Sequence, residues 1–316
     1  MRNLRSRLAS PAVAGVFICA MLAGCAAPQS AYLARQWPPT LPDRAELVNT
    51  PFMPQDDYEC GPAALAMVLQ AAGLLVTADD LVAQVYLPGR KGSLQVEMLA
   101  AARRNGLPAY PLKPDLDAVL QEVAAGNPVL VFQNLSLPIY PVWHYAVVIG
   151  YDRERQELLL HSGRTPRQSL PLDTFERTWA RGKHWSMVAL SPTRLPATAQ
   201  DDAIAQSVAA LERVDPKAAR TAYTTALNRW PLHRALMLGA GNTAYALGDL
   251  SAAQSAYGAV VQAHPDFADA WNNLAQVLLD LGHQPAATQA IAKAVTLGGP
   301  RLSQYRALQT VIEAAP

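Results

Sequence analysis

The order of hydrophobic and polar positions divides the chain into a helical part, a strand-rich part and a second helical part. Residues 63–72 are almost all Ala, Leu, Met or Val and stop at Gly73, which predicts a buried helix. Further helices are predicted from Thr77 to Val85, with Thr77 as cap, from Ser93 to Asn105, and from just after Asp115 to about Ala125.

Three apolar runs rich in β-branched residues follow these helices. They cover residues 128–132, 145–151 and 157–161, and the last two are separated by a polar turn at 152–156. Helices followed by strands predict an α+β domain with an antiparallel sheet.

Beyond a change of composition at residues 195–202, every periodic stretch is helical. Gly248 recurs at Gly282, and Ala253 recurs at Ala287, which gives a period of 34 residues. The pattern resembles the tetratricopeptide repeat, with the packing positions of that family at Trp271, Leu274, Gly282, Ala287 and Ala294. It implies an all-α repeat domain over residues 200–316, with repeats near 200–233, 234–267 and 268–299 and a closing helix from Arg301. A generic array of helical hairpins is the alternative, and either array would offer a concave surface to a peptide or partner protein.

The first 25 residues have the order of an export signal. Three arginines precede an apolar run at 12–22, and Leu22-Ala23-Gly24-Cys25 follows. This segment resembles the bacterial lipobox, which implies a signal peptide at 1–24 and an acylated, palmitate-type anchor on Cys25; an ordinary secretory signal is the alternative. Residues 25–44, rich in Ala, Pro and Gln, are predicted to be a lipidated tether. Ala26 stands where lipoproteins retained at the inner membrane carry Asp, so the resemblance favours the outer membrane, facing the periplasm.

Charge and cysteine usage narrow the possible functions. Loss of residues 1–24 would remove three arginines and no acidic residue, so the formal charge would fall from +1 to −2, and no basic patch suggests nucleic acid. No apolar run outside the N-terminus reaches the roughly 20 residues that span a bilayer. Cys19 would leave with the signal and Cys25 would carry lipid, so Cys60 would be the only free thiol.

Two motifs carry the candidate chemistry. Residues 55–65 read Gln-Asp-Asp-Tyr-Glu-Cys-Gly-Pro-Ala-Ala-Leu, and residues 144–152 read His-Tyr-Ala-Val-Val-Ile-Gly-Tyr-Asp. A thiol at a helix start gains from the helix dipole as thiolate, and a histidine nearby can take its proton. Taken alone, each residue has a plainer interpretation: a buried small cysteine, a satisfied core histidine and an exposed loop glutamine.

Together the motifs resemble the active-site opening and the histidine strand of the C39 peptidases, which process bacteriocins. The resemblance covers about residues 45–195 and implies a papain-like cysteine peptidase domain. It implies Cys60 as nucleophile, His144 as base and Gln55 as a donor to the oxyanion.

The third catalytic position departs from that family. Where the family has an acidic or amide residue, the sequence reads Leu160-His161-Ser162-Gly163. His161, Ser162 and Asp152 are therefore the candidates for orienting the His144 ring. A zinc site formed by Cys60, His144, His161 and His184 is an alternative whose spacing matches no known zinc pattern. No cofactor and no metal are predicted.

The sequence thus predicts an outer-membrane lipoprotein that hydrolyses peptide bonds through a thiol acyl-enzyme, with the repeats binding a polypeptide partner or substrate. Two other functions remain open on the same scaffold. One is transamidation or amide hydrolysis, and the other is a binding lipoprotein with weak or no catalysis.

Overall fold

A computed structural model describes residues 27–54 and 60–315. The chain folds into an α+β region followed by an all-helical region, and the sheet of the first is antiparallel. The predicted fold class is thereby confirmed.

The α+β region contains six helices and nine strands within the described residues. The helices are α1 (Pro28–Arg35), α2 (Cys60–Ala71), α3 (Ala78–Val85), α4 (Gln95–Arg104), α5 (Leu116–Ala124) and α6 (Leu172–Arg181). The strands are β1 (Arg44–Glu46), β2 (Tyr86–Leu87), β3 (Gly92–Ser93), β4 (Ala109–Pro111), β5 (Val129–Asn134), β6 (Trp143–Asp152), β7 (Glu157–Ser162), β8 (Thr165–Pro171) and β9 (Ser186–Ala189).

The main sheet has seven strands in the order β4-β9-β5-β6-β7-β8, and β1 pairs with the second half of β6. In the register of β5 and β6, Asn134 lies opposite Trp143, and β4 pairs with β9 so that Pro111 lies opposite Met187. The end of the sheet at which β4 and β5 finish and β6 begins is called the His144 end below. Strands β2 and β3 form a separate hairpin.

Helices cover both faces of this sheet. Helix α2 is buried along its length from Gly61 to Leu69, because small and apolar residues occupy all sides of it. It packs with α3 and α4 against one face, and α5 and α6 cover the other. The helix predicted from Ser93 begins instead at Gln95, since Ser93 pairs with Tyr86 in the hairpin.

The second region consists of seven described helices. They are α7 (Asp201–Glu212), α8 (Pro216–Leu227), α9 (Arg234–Ala246), α10 (Leu250–Ala263), α11 (Ala268–Asp280), α12 (Gln284–Leu297) and α13 (Leu302–Ala314). Gly248 and Gly282 end corresponding helices with φ of +76° and +75°, a left-handed conformation that favours glycine. This turn explains why glycine recurs with the 34-residue period.

The two regions share one hydrophobic core. Ile204 and Val208 of α7 belong to the same buried cluster as Val119 and Val123 of α5. The fully buried Glu122 carboxylate accepts hydrogen bonds from the amides of Ala197 and Thr198 at 3.1 and 2.8 Å. The segment between the regions is therefore fixed by contacts on both sides.

The segment predicted as a tether is largely folded. Helix α1 begins at Pro28, and its first amides, those of Gln29 and Ser30, donate to the buried carboxylate of Glu176 at 2.9 and 2.7 Å. Leu33 is buried in the core, and Arg44 begins strand β1. The tether prediction is thus wrong for residues 28–35 and 44, because α1 has a partner surface that its composition does not reveal. Within the described residues, no helix is long and apolar enough to cross a membrane.

Candidate active site

Cys60 is the first described residue of α2 and is half-buried. A side chain at the next position is not possible: a Cβ on Gly61 would lie 2.2 Å from the Ser93 hydroxyl oxygen. Glycine therefore lets the start of α2 approach strand β3. Pro62 follows in the first turn, where a missing amide costs no helical hydrogen bond.

The environment of the Cys60 sulfur combines burial with backbone amides. Burial raises the pKa of the thiol, and hydrogen bonding by the amides of Tyr145, Gly61 and Cys60 opposes the shift. Tyr145 directly follows His144 on β6, so its amide contact sets the sulfur beside the histidine strand. This is the geometric link between the two sequence motifs.

A polar contact from the neighbouring strand holds the His144 ring. Its Nε2 lies 2.9 Å from the Ser162 hydroxyl oxygen at the end of β7. If Nε2 carries the proton and donates to Ser162, Nδ1 is the nitrogen left to accept a proton. Burial lowers the pKa of His144 to about 4, and no described charged group opposes this shift. The ring is therefore neutral at pH 7.

The three candidates for the orienting residue occupy different places. Ser162 contacts the His144 ring. His161 uses both its nitrogens elsewhere, with Nε2 3.2 Å from the Thr50 carbonyl oxygen and Nδ1 accepting from the Arg167 amide. Asp152 ends β6 eight residues beyond His144, about 26 Å away at the rise of a strand. Asp152 therefore cannot reach the imidazole, and His161 is committed to other partners.

An aromatic cluster that the sequence interpretation missed surrounds the residues on either side of His144 in β6. Trp143 stacks on Phe132 with ring centroids 5.1 Å apart and planes 10° apart, and Phe132 also contacts Tyr145 at 4.7 Å. The Trp143 side chain is half exposed. The sequence signal for this cluster was the alternation along β6, which places Trp143 and Tyr145 on the same face of the sheet.

Two predicted residues lie outside the part that the structure describes. They are Gln55, the expected oxyanion donor, and Cys25, the expected lipid site. Within residues 27–54 and 60–315, no three His, Cys, Asp or Glu side chains converge as they would around a metal ion.

Two family models match the chain. Residues 47–187 match the model of the Peptidase C39 like family. Residues 204–253 and 238–301 match the Tetratricopeptide repeat model. The chain carries a C39-like domain followed by tetratricopeptide repeats. No curated protein matches the chain.

Solved structures similar to the C39-like domain include two bacterial examples. One is described as a C39-like peptidase from Bacillus anthracis, with 20% identity and a TM-score of 0.40, covering 47% of this chain and 98% of that one. The other is the peptidase domain of Streptococcus ComA, a bifunctional ABC transporter involved in a quorum sensing pathway. It has 19% identity and a TM-score of 0.37, and covers 45% of this chain and 98% of that one.

The arrangement has one clear chemical consequence. A raised thiol pKa and a lowered imidazole pKa both favour the neutral forms, so at rest Cys60 is a thiol and His144 is a neutral imidazole. A neutral imidazole can accept the proton of a thiol as an electrophile is attacked, which is general-base chemistry.

Proposed function

We propose that the chain is a cysteine peptidase in which Cys60 is the nucleophile, His144 the base and Ser162 the residue that positions the imidazole. The observation that carries the proposal is the contact of the Cys60 sulfur with the Tyr145 amide, combined with the hydrogen bond between His144 and Ser162. They support the proposal because the helix-start thiol contacts the residue next to His144 in β6, and because His144 is held through Nε2, which leaves Nδ1 to act as base.

The reaction follows from these positions. His144 Nδ1 takes the thiol proton as the sulfur bonds to the carbonyl carbon of a peptide bond, and the negative charge moves to the carbonyl oxygen. The amides at the start of α2 are placed to stabilise that oxygen, together with Gln55 as implied by the family motif. The C–N bond then breaks, and His144 returns the proton to the leaving amine. Water, deprotonated by the same nitrogen, hydrolyses the thioester and restores the thiol.

Ser162 supports this reaction less strongly than a carboxylate would. A neutral hydroxyl accepts from Nε2 and fixes the ring, but it adds no negative charge to stabilise the imidazolium. We therefore expect a slow enzyme rather than an inactive one, because loss of an orienting group usually costs less than loss of the nucleophile or base.

The location in the cell is part of the same proposal. The sequence Leu22-Ala23-Gly24-Cys25 supports lipidation at Cys25, and Ala26 supports the outer membrane facing the periplasm. The tetratricopeptide repeats support a role in binding a polypeptide, since arrays of this kind present extended concave surfaces. Replacement of Cys25 by Ser is expected to move the chain from the membrane fraction to the soluble fraction.

The test of catalysis uses the full chain and a mixture of unmodified peptides, with products identified by mass spectrometry. Wild type is expected to yield fragments with free carboxyl termini, and Cys60→Ala and His144→Ala are expected to yield none. His283→Ala is the matched control, because His283 is exposed and its side chain forms no cap on α12. Products that carry a new amide in place of the carboxyl group would assign transamidation instead.

A second candidate function is recognition without catalysis, and the neutral Ser162 beside His144 is the observation that favours it. It predicts no peptide fragments, together with a thiol alkylation rate that does not change in His144→Ala. Dependence of that rate on His144 would exclude it.

A further inference from the structure

An unusually apolar surface adjoins the candidate active site. Fifteen large hydrophobic side chains are exposed among the described residues, and six of them lie in the nine residues 135–143, which run from the end of β5 to the first residue of β6. These nine residues, called the apolar loop, are Leu-Ser-Leu-Pro-Ile-Tyr-Pro-Val-Trp and carry no charge. Ile139 and Tyr140 are the most exposed of the six, at 75% and 76%. Scattered exposed hydrophobics are ordinary, but a contiguous set indicates a surface that is covered in use.

The apolar loop is held in place from its base. The buried Asn134 side-chain oxygen accepts from the amides of Ser136 and Val142 at 3.0 and 2.9 Å, which ties the two ends of the loop together. The Leu135 amide donates to the Val142 carbonyl oxygen, and Arg181 donates to the Asn134 carbonyl oxygen. The apolar side chains are thus presented to solvent by a fixed backbone.

The first described residues of the chain lie at this same end. Helix α1 begins beside residues 114–116, just after β4, because the Gln29 side chain bonds the Pro114 carbonyl oxygen and the Leu116 amide. The first amides of α1 donate to Glu176 of α6. Along α6, Glu176 is about 7.5 Å from Arg181, which lies at the base of the loop. The first described residue, Ala27, therefore lies at the His144 end of the sheet. The predicted lipid site, Cys25, precedes it by two residues in the sequence.

A lipid bilayer fits these features better than a charged partner does. The loop combines aliphatic side chains with Tyr and Trp, the aromatic residues that favour the membrane interface. Charges of both signs lie on neighbouring segments: Arg181 ends α6 and Lys183 follows it, whereas Asp115 and Asp117 lie near the start of α1. The loop itself carries no charge, and an apolar loop enters a neutral bilayer as readily as a charged one.

We infer that the apolar loop is a bilayer-contact surface that seats the His144 end of the C39-like domain on a membrane. Its consequence for substrate rests on the proposed function: the cleft takes polypeptide segments that lie at the membrane surface. The contact itself does not depend on catalysis.

The contact is tested by depth-dependent quenching in vesicles of brominated phosphatidylcholine, with the full chain reconstituted into them. Tyr140→Trp adds a reporter at the exposed part of the loop, and Val311→Trp is the matched control at a similarly exposed site on α13. The Tyr140→Trp chain is expected to gain bromine-quenched emission over wild type, and the Val311→Trp chain to gain none. Adding Leu137→Ser and Ile139→Ser to the Tyr140→Trp chain is expected to remove most of that gain, because burial of each aliphatic side chain contributes on the order of tenfold or more to partitioning.

Equal quenching gains for the two reporters, no gain for either, or failure of the wild-type chain to float with the vesicles would each overturn the inference. The inference would also be overturned if the variant with Leu137→Ser and Ile139→Ser, called the serine variant, lost peptide cleavage in the absence of vesicles while its quenching did not change. The loop would then bind polypeptide. The Cys60→Ala chain is expected to give the same quenching as wild type. Failure of catalysis and failure of membrane contact are thereby distinguished.

The consequence for substrate is measured by comparing one peptide free in solution with the same peptide carrying an acyl chain in the vesicles. Wild type is expected to cleave the vesicle-bound peptide with the higher kcat/KM, and the serine variant to lose that preference while still cleaving the free peptide. A wild-type enzyme with no preference would refute the assignment of membrane-surface substrates, and cleavage of neither peptide would refute the proposed function.

Discussion

A carboxylate at position 162 is expected to restore charge to the imidazole of His144. Burial lowers the pKa of His144 from 6.5 to about 4, which corresponds to a cost of about 3 kcal/mol for the charged ring. The Ser162 oxygen lies 2.9 Å from Nε2, so Ser162→Asp brings a carboxylate oxygen within reach of the same nitrogen. An opposite charge at such a distance raises a pKa by about 1–3 units. The pKa of His144 is therefore expected to rise to between about 5 and 7 in the variant.

NMR titration of the His144 ring gives this pKa directly, with the resonance assigned by its absence from His144→Ala. Ser162→Ala is the control, because it removes the hydroxyl and adds no charge. In Ser162→Ala the pKa is expected to stay low, and kcat/KM to fall by about 2- to 12-fold, the value of about 0.5–1.5 kcal/mol for one hydrogen bond. A Ser162→Asp chain whose His144 still titrates near 4, or a Ser162→Ala chain with unchanged kcat/KM, would refute the role given to Ser162.

Three further predictions concern pH and stability. The acid limb of the kcat/KM profile is expected near pH 4, because the base must be neutral and burial lowers the pKa of His144 to about 4; a limb near pH 6.5 would contradict it. In urea denaturation, Gly239→Ala is expected to destabilise by about 1–3 kcal/mol, since its Cβ would lie 2.1 Å from the Tyr223 ring. Gly258→Ala, with nothing within 4 Å, is expected to stabilise by roughly 0.5–1 kcal/mol, and effects of the same sign at both glycines would contradict this pair. Glu122→Ala is expected to lower the free energy of unfolding by about 2–5 kcal/mol, because it leaves the amides between the two regions buried without an acceptor; an unchanged urea midpoint would argue against this.

Sequence patterns predict the elements whose signals are local. Thr77 caps its helix as predicted, with the Thr77 hydroxyl accepting from the Asp80 amide at 3.3 Å. The apolar run at 145–151 lies within β6, and the glycines of the 34-residue period lie at helix ends. In each case neighbouring residues in the chain determine the conformation, so a short window contains the information.

Elements that depend on partners far away in the sequence cannot be predicted from a short stretch of residues. Strands β4 and β9 are three and four residues long and exist because they pair with each other and with β5. Helix α6 follows two strands and carries its apolar residues at Leu172, Phe175 and Trp179, a helical spacing within a segment of polar residues. The same limit applies to the third catalytic position. The sequence left His161, Ser162 and Asp152 open for this position, and a tertiary contact to Thr50 is what commits His161 elsewhere.

The neutral pair and the apolar loop have related physical requirements. An ion close to a bilayer loses solvation, and this loss is costly for an imidazolium paired with a thiolate or carboxylate. A neutral thiol and imidazole lose much less, so the contact of His144 with the neutral Ser162 is compatible with a cleft seated at a lipid surface. Ser162→Asp should therefore lower the ratio of kcat/KM on vesicle-bound peptide to kcat/KM on free peptide, relative to wild type. The same ratio in both chains would show that the bilayer does not influence the charge state of the pair.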